Sequence, residues 1–185
     1  VRRELTDRLL QRWDDCASDQ WPWFESTATY DNARLSQALL QSGRAIPDQR
    51  AITVGLTSLR WLDSIQETQG GTFRPIGSNG FYTQGGARAD FDQQPVETYA
   101  MVSGCLEAYY ATHDETWVHA ARRTFEWFLG RNDLGLALYD PGSGGCSDGL
   151  HTDRVNENQG AESTLAFHLS RVEMKIAEYQ LHVTE

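Results

Sequence analysis

Three stretches of this chain concentrate carboxylates, amides and hydroxyls in a way that invites chemistry. They are Thr29-Tyr30-Asp31-Asn32, Asp90-Phe91-Asp92-Gln93-Gln94-Pro95-Val96-Glu97-Thr98 and Asn156-Glu157-Asn158-Gln159-Gly160-Ala161-Glu162-Ser163-Thr164. The last two share a Gln-x-x-Glu-Ser/Thr pattern, with Gln94 matched to Gln159 and Glu97 to Glu162 about 65 residues further on. Single Asp or Asn residues cap helices, and a Glu in a first turn complements the helix dipole. Capping needs one such group, however, and these runs supply five or six. Asp92, Gln93, Gln94 and Glu97, with Asn156, Asn158, Gln159 and Glu162, form a donor and acceptor set suited to a ligand rich in hydroxyl groups. Asp92, Glu97, Asp148 and Glu162 are the candidates for catalysis, because glycoside hydrolysis needs two carboxyl groups about 5–10 Å apart, one of raised pKa.

Aromatic residues extend the set. Trp21-Pro22-Trp23-Phe24-Glu25 places two indoles around a proline, beside Glu25. Such a segment either forms a flat platform for the apolar face of a sugar ring or folds back as a lid over helix ends. Trp21, Trp23, Glu25, Tyr30, Asp31, Asn32, Gln93, Gln94, Asn156, Asn158 and Gln159 are therefore the expected ligand contacts. The glycine-rich run Gly142-Ser143-Gly144-Gly145-Cys146-Ser147-Asp148-Gly149 lacks the Lys-Ser/Thr of a phosphate loop and reads as a tight turn with Asp148 directed inward. His151 ranks below these groups, as a loop histidine at the surface. Cys146 lacks a base partner for a nucleophile's role, and the histidines show no metal-ligand spacing. No metal and no cofactor are expected.

Helices must position these groups, and six segments carry helical periodicity. They run from about Glu4 to Ser18, Asp31 to Ser42, Pro47 past Ile65, Pro95 to Thr112, Glu115 to a stop at Gly130, and Gln159 past Ile176. The expected buried stripes are Leu5, Leu9 and Trp13 in the first helix, Ala51, Val54, Ser58, Leu59, Leu62 and Ile65 in the third, and Leu165, Leu169, Val172 and Ile176 in the sixth. The fourth, with Met101, Val102, Cys105, Leu106, Ala108 and Tyr109, has few polar faces and reads as an inner helix. Its connections alternate. Short turns follow the second and fourth helices, whereas about 10 residues follow the first and roughly 27 follow the third and the fifth. With antiparallel neighbours, all the long loops fall at one end, together with the starts of the second, fourth and sixth helices. The expected fold is all-α: an α/α-hairpin toroid of about three hairpins, a partial ring with its long loops at one end. An ordinary helical bundle is the alternative.

Bulk properties narrow the function. The chain has 185 residues, 26 acidic against 16 basic side chains and a net charge of −10, with no basic stripe, so nucleic acid is not an expected partner. No apolar run approaches the roughly 18 residues of a membrane span, no signal-peptide pattern opens the chain, and a membrane is not an expected partner either. The three cysteines, Cys16, Cys105 and Cys146, have no C-x-x-C pairing and fit a reducing compartment.

Several strings in order carry a family likeness. Trp21 to Glu25, Tyr30-Asp31-Asn32-Ala33-Arg34-Leu35, Phe91 to Glu97, Trp127-Phe128-Leu129-Gly130-Arg131-Asn132, Asp148-Gly149-Leu150 and Asn158 to Thr164 resemble the helical toroid region C-terminal to a GT-B-fold glycosyltransferase module in a group of bacterial proteins. The likeness spans about Leu5 to Met174 and departs from the family at Ser36, where proline is common. It implies a six-hairpin-glycosidase-like toroid of cytoplasmic sugar metabolism. Residues 1–185 would then be one helical domain of a larger glycosyltransferase chain, completed by an N-terminal part of that chain or by a second copy. The nucleotide-sugar module lies outside these residues, so glycosyl transfer is not assigned to them. Three readings follow: a domain that binds or orients a glycan, a stand-alone glycoside hydrolase or sugar epimerase using two carboxylates, and a scaffold whose polar ends only cap helices.

Overall fold

A computed structural model describes residues 1–184, with side chains through Leu181. The chain is mainly helical. Its α-helices are α1 (Arg2–Cys16), α2 (Ala33–Ala45), α3 (Gln49–Ile65), α4 (Pro95–Thr112), α5 (Thr116–Phe125) and α6 (Ala161–Thr184), and a 3-10 turn, Glu126–Leu129, extends α5. The all-α expectation needs one refinement, because the long loops hold short ladders. Thr27–Ala28 pairs antiparallel with Tyr82–Thr83, and Gly149–Leu150 with Val155–Asn156.

Local chemistry explains the boundaries. Pro95 begins α4 at a position whose N–H would have no helical partner anyway. Asp48 caps α3, its carboxylate accepting from the Ala51 N–H at 3.1 Å, so Pro47 lies just outside the helix it was expected to open. Gly130, at φ 98°, adopts the left-handed conformation that closes the 3-10 turn.

Packing sorts the helices. α2 packs on α3 and α4, and α4 in turn packs on α5 and α6. α2, α4 and α6 thus form a row, with α1, α3 and α5 attached along it. Close approach is built in at Gly55, where a Cβ would sit 2.9 Å from Leu40 Cγ and 3.1 Å from the Ser36 carbonyl. α4 is buried from Pro95 through Ala108 apart from the half-buried Tyr99, as expected of an inner helix. On α3 the expected stripe is in the core apart from Ile65, which is half-buried.

Two stripes depart from expectation. In α1, Leu5 is exposed while Thr6 and Leu10 are buried. In α6, Leu165, Leu169, Val172 and Ile176 face outward at 58%, 42%, 52% and 48% exposure, and Ser163, Ala166, Phe167, Ser170, Met174 and Ala177 are buried instead. α6 carries two apolar faces, and periodicity alone does not say which one meets the core.

Candidate functional site

The starts of α2, α4 and α6 meet at one rim. Glu97, in the first turn of α4, is 4% exposed. Its carboxylate accepts from the Asp31 N–H, from the Asn32 N–H at 3.3 Å and from Asn32 Nδ2 at 2.9 Å. Tyr30, just before α2, donates from its hydroxyl to Glu162 Oε2 at 2.7 Å, which ties α2 to the first turn of α6. Asp31 sits at φ 51°, in the left-handed region, and pairs with Arg34 at 3.3 Å. Arg34 in turn stacks over the Tyr99 ring at 4.2 Å. Tyr30, Asp31, Asn32, Glu97 and Glu162 are thus brought together from positions far apart in the chain.

Electrostatics follow from this crowding. Burial pushes the Glu97 carboxyl up to about 7, against the opposing pull of the Asn32 side chain and the two backbone N–H groups. Burial raises Asp31 too, with Arg34 pulling down and Glu162 pushing up. The hydrogen bond to Glu162 is the main reason the Tyr30 hydroxyl is pushed up to about 12. Three carboxylates share the rim, but Glu97 is committed to holding the start of α2.

The second gathering of polar groups lies in the loop between α5 and α6. A cavity of about 900 Å³ there is lined by Asp140, Ser147, His151, Asn156, Glu157 and Gln159, among others. Asp148 is not among the lining residues and instead holds the backbone entering α6. One of its oxygens accepts from the Gly160 N–H at 2.8 Å, and the other accepts from Asn158 Nδ2. Burial pushes the Asp148 carboxyl up, but hydrogen bonds from Ser163, Asn158 and Gly160 together outweigh it and hold the group below its ordinary value. The Gln159 side-chain amide lies 2.8 Å from Ser143 Oγ. Nearby, burial, with Asp148 adding to it, pushes the Cys146 thiol up to about 12, so at neutral pH it is an inert thiol rather than a nucleophile.

His151, expected as a surface loop histidine, is instead half-buried and paired with Asp92. Gln93 and Leu150 exchange backbone hydrogen bonds, both at 2.9 Å, in an antiparallel bridge. That bridge sets Asp92 beside His151, and Asp92 Oδ1 lies 2.5 Å from His151 Nδ1. Gly149, next in the strand, has to be glycine, since a Cβ there would stand 2.6 Å from the Gln93 carbonyl. No spacing rule joins positions 92 and 151, and only the bridge does.

Other expected contacts are corrected by their surroundings. Trp21 and Trp23 are not a platform: both are buried, in an aromatic cluster with Phe24, Trp61 and Tyr82. The Trp21 indole N–H donates to the Glu25 carbonyl at 2.7 Å, fixing the loop as a plug in the core. Glu25 itself is exposed and faces Arg12 of α1 at 3.9 Å. Gln93 is wholly buried. Its side chain accepts from Trp127 Nε1 at 2.7 Å and donates to the Asp90 carbonyl and to Asp133, so it is part of the scaffold. Gln94 is the half-buried residue before α4, and its side chain makes no capping bond. The four catalytic candidates, Asp92, Glu97, Asp148 and Glu162, each bind a different partner, and no hydrogen bond links any two of them. Among the described residues, no group of three His, Cys, Asp or Glu side chains is placed to hold a metal ion.

In comparisons with known proteins, no family model and no curated protein matches the chain. Among the described residues, no helix is long and apolar enough to cross a membrane.

Proposed function

We propose that this chain is a carbohydrate-binding helical domain, built as three hairpins of a partial α/α toroid and working alongside a bacterial glycosyltransferase. The observation that carries this reading is the convergence of three helix starts. Glu97 holds Asp31 and Asn32, and Tyr30 holds Glu162, beside a loop whose cavity is lined by carboxylate, hydroxyl, imidazole and amide groups. Polar walls with many donors and acceptors suit polyhydroxylated ligands better than apolar ones. The row formed by α2, α4 and α6, with α1, α3 and α5 attached to it, supports the toroid. The outward apolar face of α6 is the edge that a further part of a longer chain or a second copy would cover. Cys16, Cys105 and Cys146 are all free thiols, in keeping with a cytoplasmic setting.

The ligand-contacting residues in this reading are Tyr30, Asp31 and Glu162 at the rim and Asn156 and Gln159 in the loop cavity. Titration of the whole chain with a panel of oligosaccharides, followed by calorimetry, tests it. Binding that is lost in an Asn156→Ala, Gln159→Ala double variant of unchanged melting temperature is the expected result. If no saccharide binds, the scaffold reading replaces this one.

One observation favours the second reading, a hydrolase or epimerase. Glu97, pushed up to about 7 at the rim it shares with Asp31 and Glu162, has the raised pKa of a general acid. Turnover of a bound saccharide, abolished by Glu162→Gln with binding retained, would establish it.

A further inference from the structure

His151 is held the way a working imidazole is held. Asp92, as a carboxylate, only accepts hydrogen bonds, so its contact at 2.5 Å places the ring proton of neutral His151 on Nδ1. Nε2 then carries the lone pair. The support beneath the pair is rigid. The Asp92 carbonyl accepts from the Ser78 N–H at 2.9 Å and from Ser78 Oγ at 3.2 Å. The adjacent Gln93 is locked by Trp127 and by the bridge to Leu150. On the other side, the His151 N–H donates to the Arg154 carbonyl at 2.9 Å. A histidine placed only for solubility needs none of this.

His151 also lines the cavity of about 900 Å³, together with Ser147, Asn156 and Gln159. The charges around that space are unbalanced. Asp140, Asp153 and Glu157 supply three carboxylates, and the one guanidinium, Arg154, is turned to Asp153 at 2.8 Å. Hydrogen bonds, from the Ser143 hydroxyl first, hold the Asp140 carboxyl below its ordinary value, so that group is ionised at neutral pH. A phosphate or uronate entering here would meet like charge, with no free Lys or Arg among the described residues of the wall.

We infer that His151 is the specificity-determining residue of this cavity: its Nε2 accepts a hydrogen bond from a hydroxyl of an uncharged saccharide, and Asp92 keeps the ring in the accepting tautomer. The inference rests on the carbohydrate-binding reading and narrows it, naming both the contact and the ligand class. Asp92 is a positioning residue here, since its carboxylate acts through the ring.

The test uses the full chain and three probes of one size: neutral gluco- or manno-trisaccharides, their 6-phosphates, and trigalacturonate. Affinity is read by calorimetry and the His151 Nε2 environment by ¹⁵N NMR. Expected are binding of a neutral trisaccharide, a ¹⁵N shift confined to Nε2, and a loss of roughly tenfold or more in affinity for His151→Phe, with a smaller loss for Asp92→Asn. The imidazole is partly exposed, so both variants should keep the wild-type circular dichroism melt. If His151→Phe binds the neutral sugar as tightly as the parent, the inference falls while the carbohydrate reading stands. Tighter binding of the phosphate or the uronate overturns the ligand class. No binding of any probe by the parent chain removes both.

Discussion

α4 and α6 open with the same Gln-x-x-Glu-Ser/Thr pattern and meet different fates. α4 lies between α2 and α6, so nearly all its surface from Pro95 through Ala108 is covered and Glu97 is shut in with its donors. α6 has α4 and α5 on one side, and its other apolar face stands in solvent, so Glu162 is exposed with Tyr30 as its partner. A sequence pattern repeated in a hairpin array therefore specifies where a carboxylate sits on its helix. Its number of neighbours is set by the helix's place in the row. The same residue type becomes a buried joint in one helix and an accessible group in the other.

Paired substitutions break or sharpen this contrast. The largest effect belongs to Glu97→Ala, which leaves the Asp31 and Asn32 donors unpaired in the interior and should cost about 4 kcal/mol of folding stability. Glu162→Ala removes one exposed acceptor and should cost well under about 1 kcal/mol. Urea unfolding of the two variants measures the gap, and equal costs would erase the distinction. Next comes the wholly buried Met101→Ala in α4, at about 3 kcal/mol, against Leu169→Ala on the open face of α6, within about 0.5 kcal/mol. A large cost at Leu169 would mean that face is covered in solution.

The pH dependence has a definite sign. Glu97 is raised from its ordinary 4.5 to about 7 in the folded chain. The folded state therefore holds a proton that the unfolded state releases earlier. The stability this gives is complete below about 4.5 and is lost as pH rises through about 7, a change of about 3 kcal/mol. Glu97→Gln should flatten that part of the stability profile, and Glu162→Gln should leave its shape unchanged. The smallest effect separates the two helix starts. Asp148→Ala removes the cap at Gly160 and should cost about 1 kcal/mol, whereas Gln94→Ala removes no capping bond and should cost nearly nothing. Thermal melts of both variants decide it.

Much of the frame was legible in advance. The α4 limits, Pro95 and Thr112, followed from a helix-starting proline and an unbroken apolar pattern. The common rim of α2, α4 and α6 followed from loop lengths alone, because alternating short and long connections leave antiparallel helices no other arrangement. The Trp21-Pro22-Trp23 segment was not legible as core. A loop rich in indoles has the same letters whether the rings face a sugar or plug an interior, and only Phe24, Trp61 and Tyr82 closing around them chose the second. The α6 stripe failed for a related reason: Leu165, Leu169, Val172 and Ile176 are as periodic as the face that is buried.

Residue order by itself determined which segments become helices, where they start to within a turn and which polar groups ride on those starts. These are local matters of propensity, capping and period, decided within a few turns of chain. Tertiary structure alone decided which carboxylate is buried, which face of α6 stays open and that Asp92 meets His151. Each of those depends on a partner dozens of residues away, and the free energy of burial or of a hydrogen bond belongs to the pair.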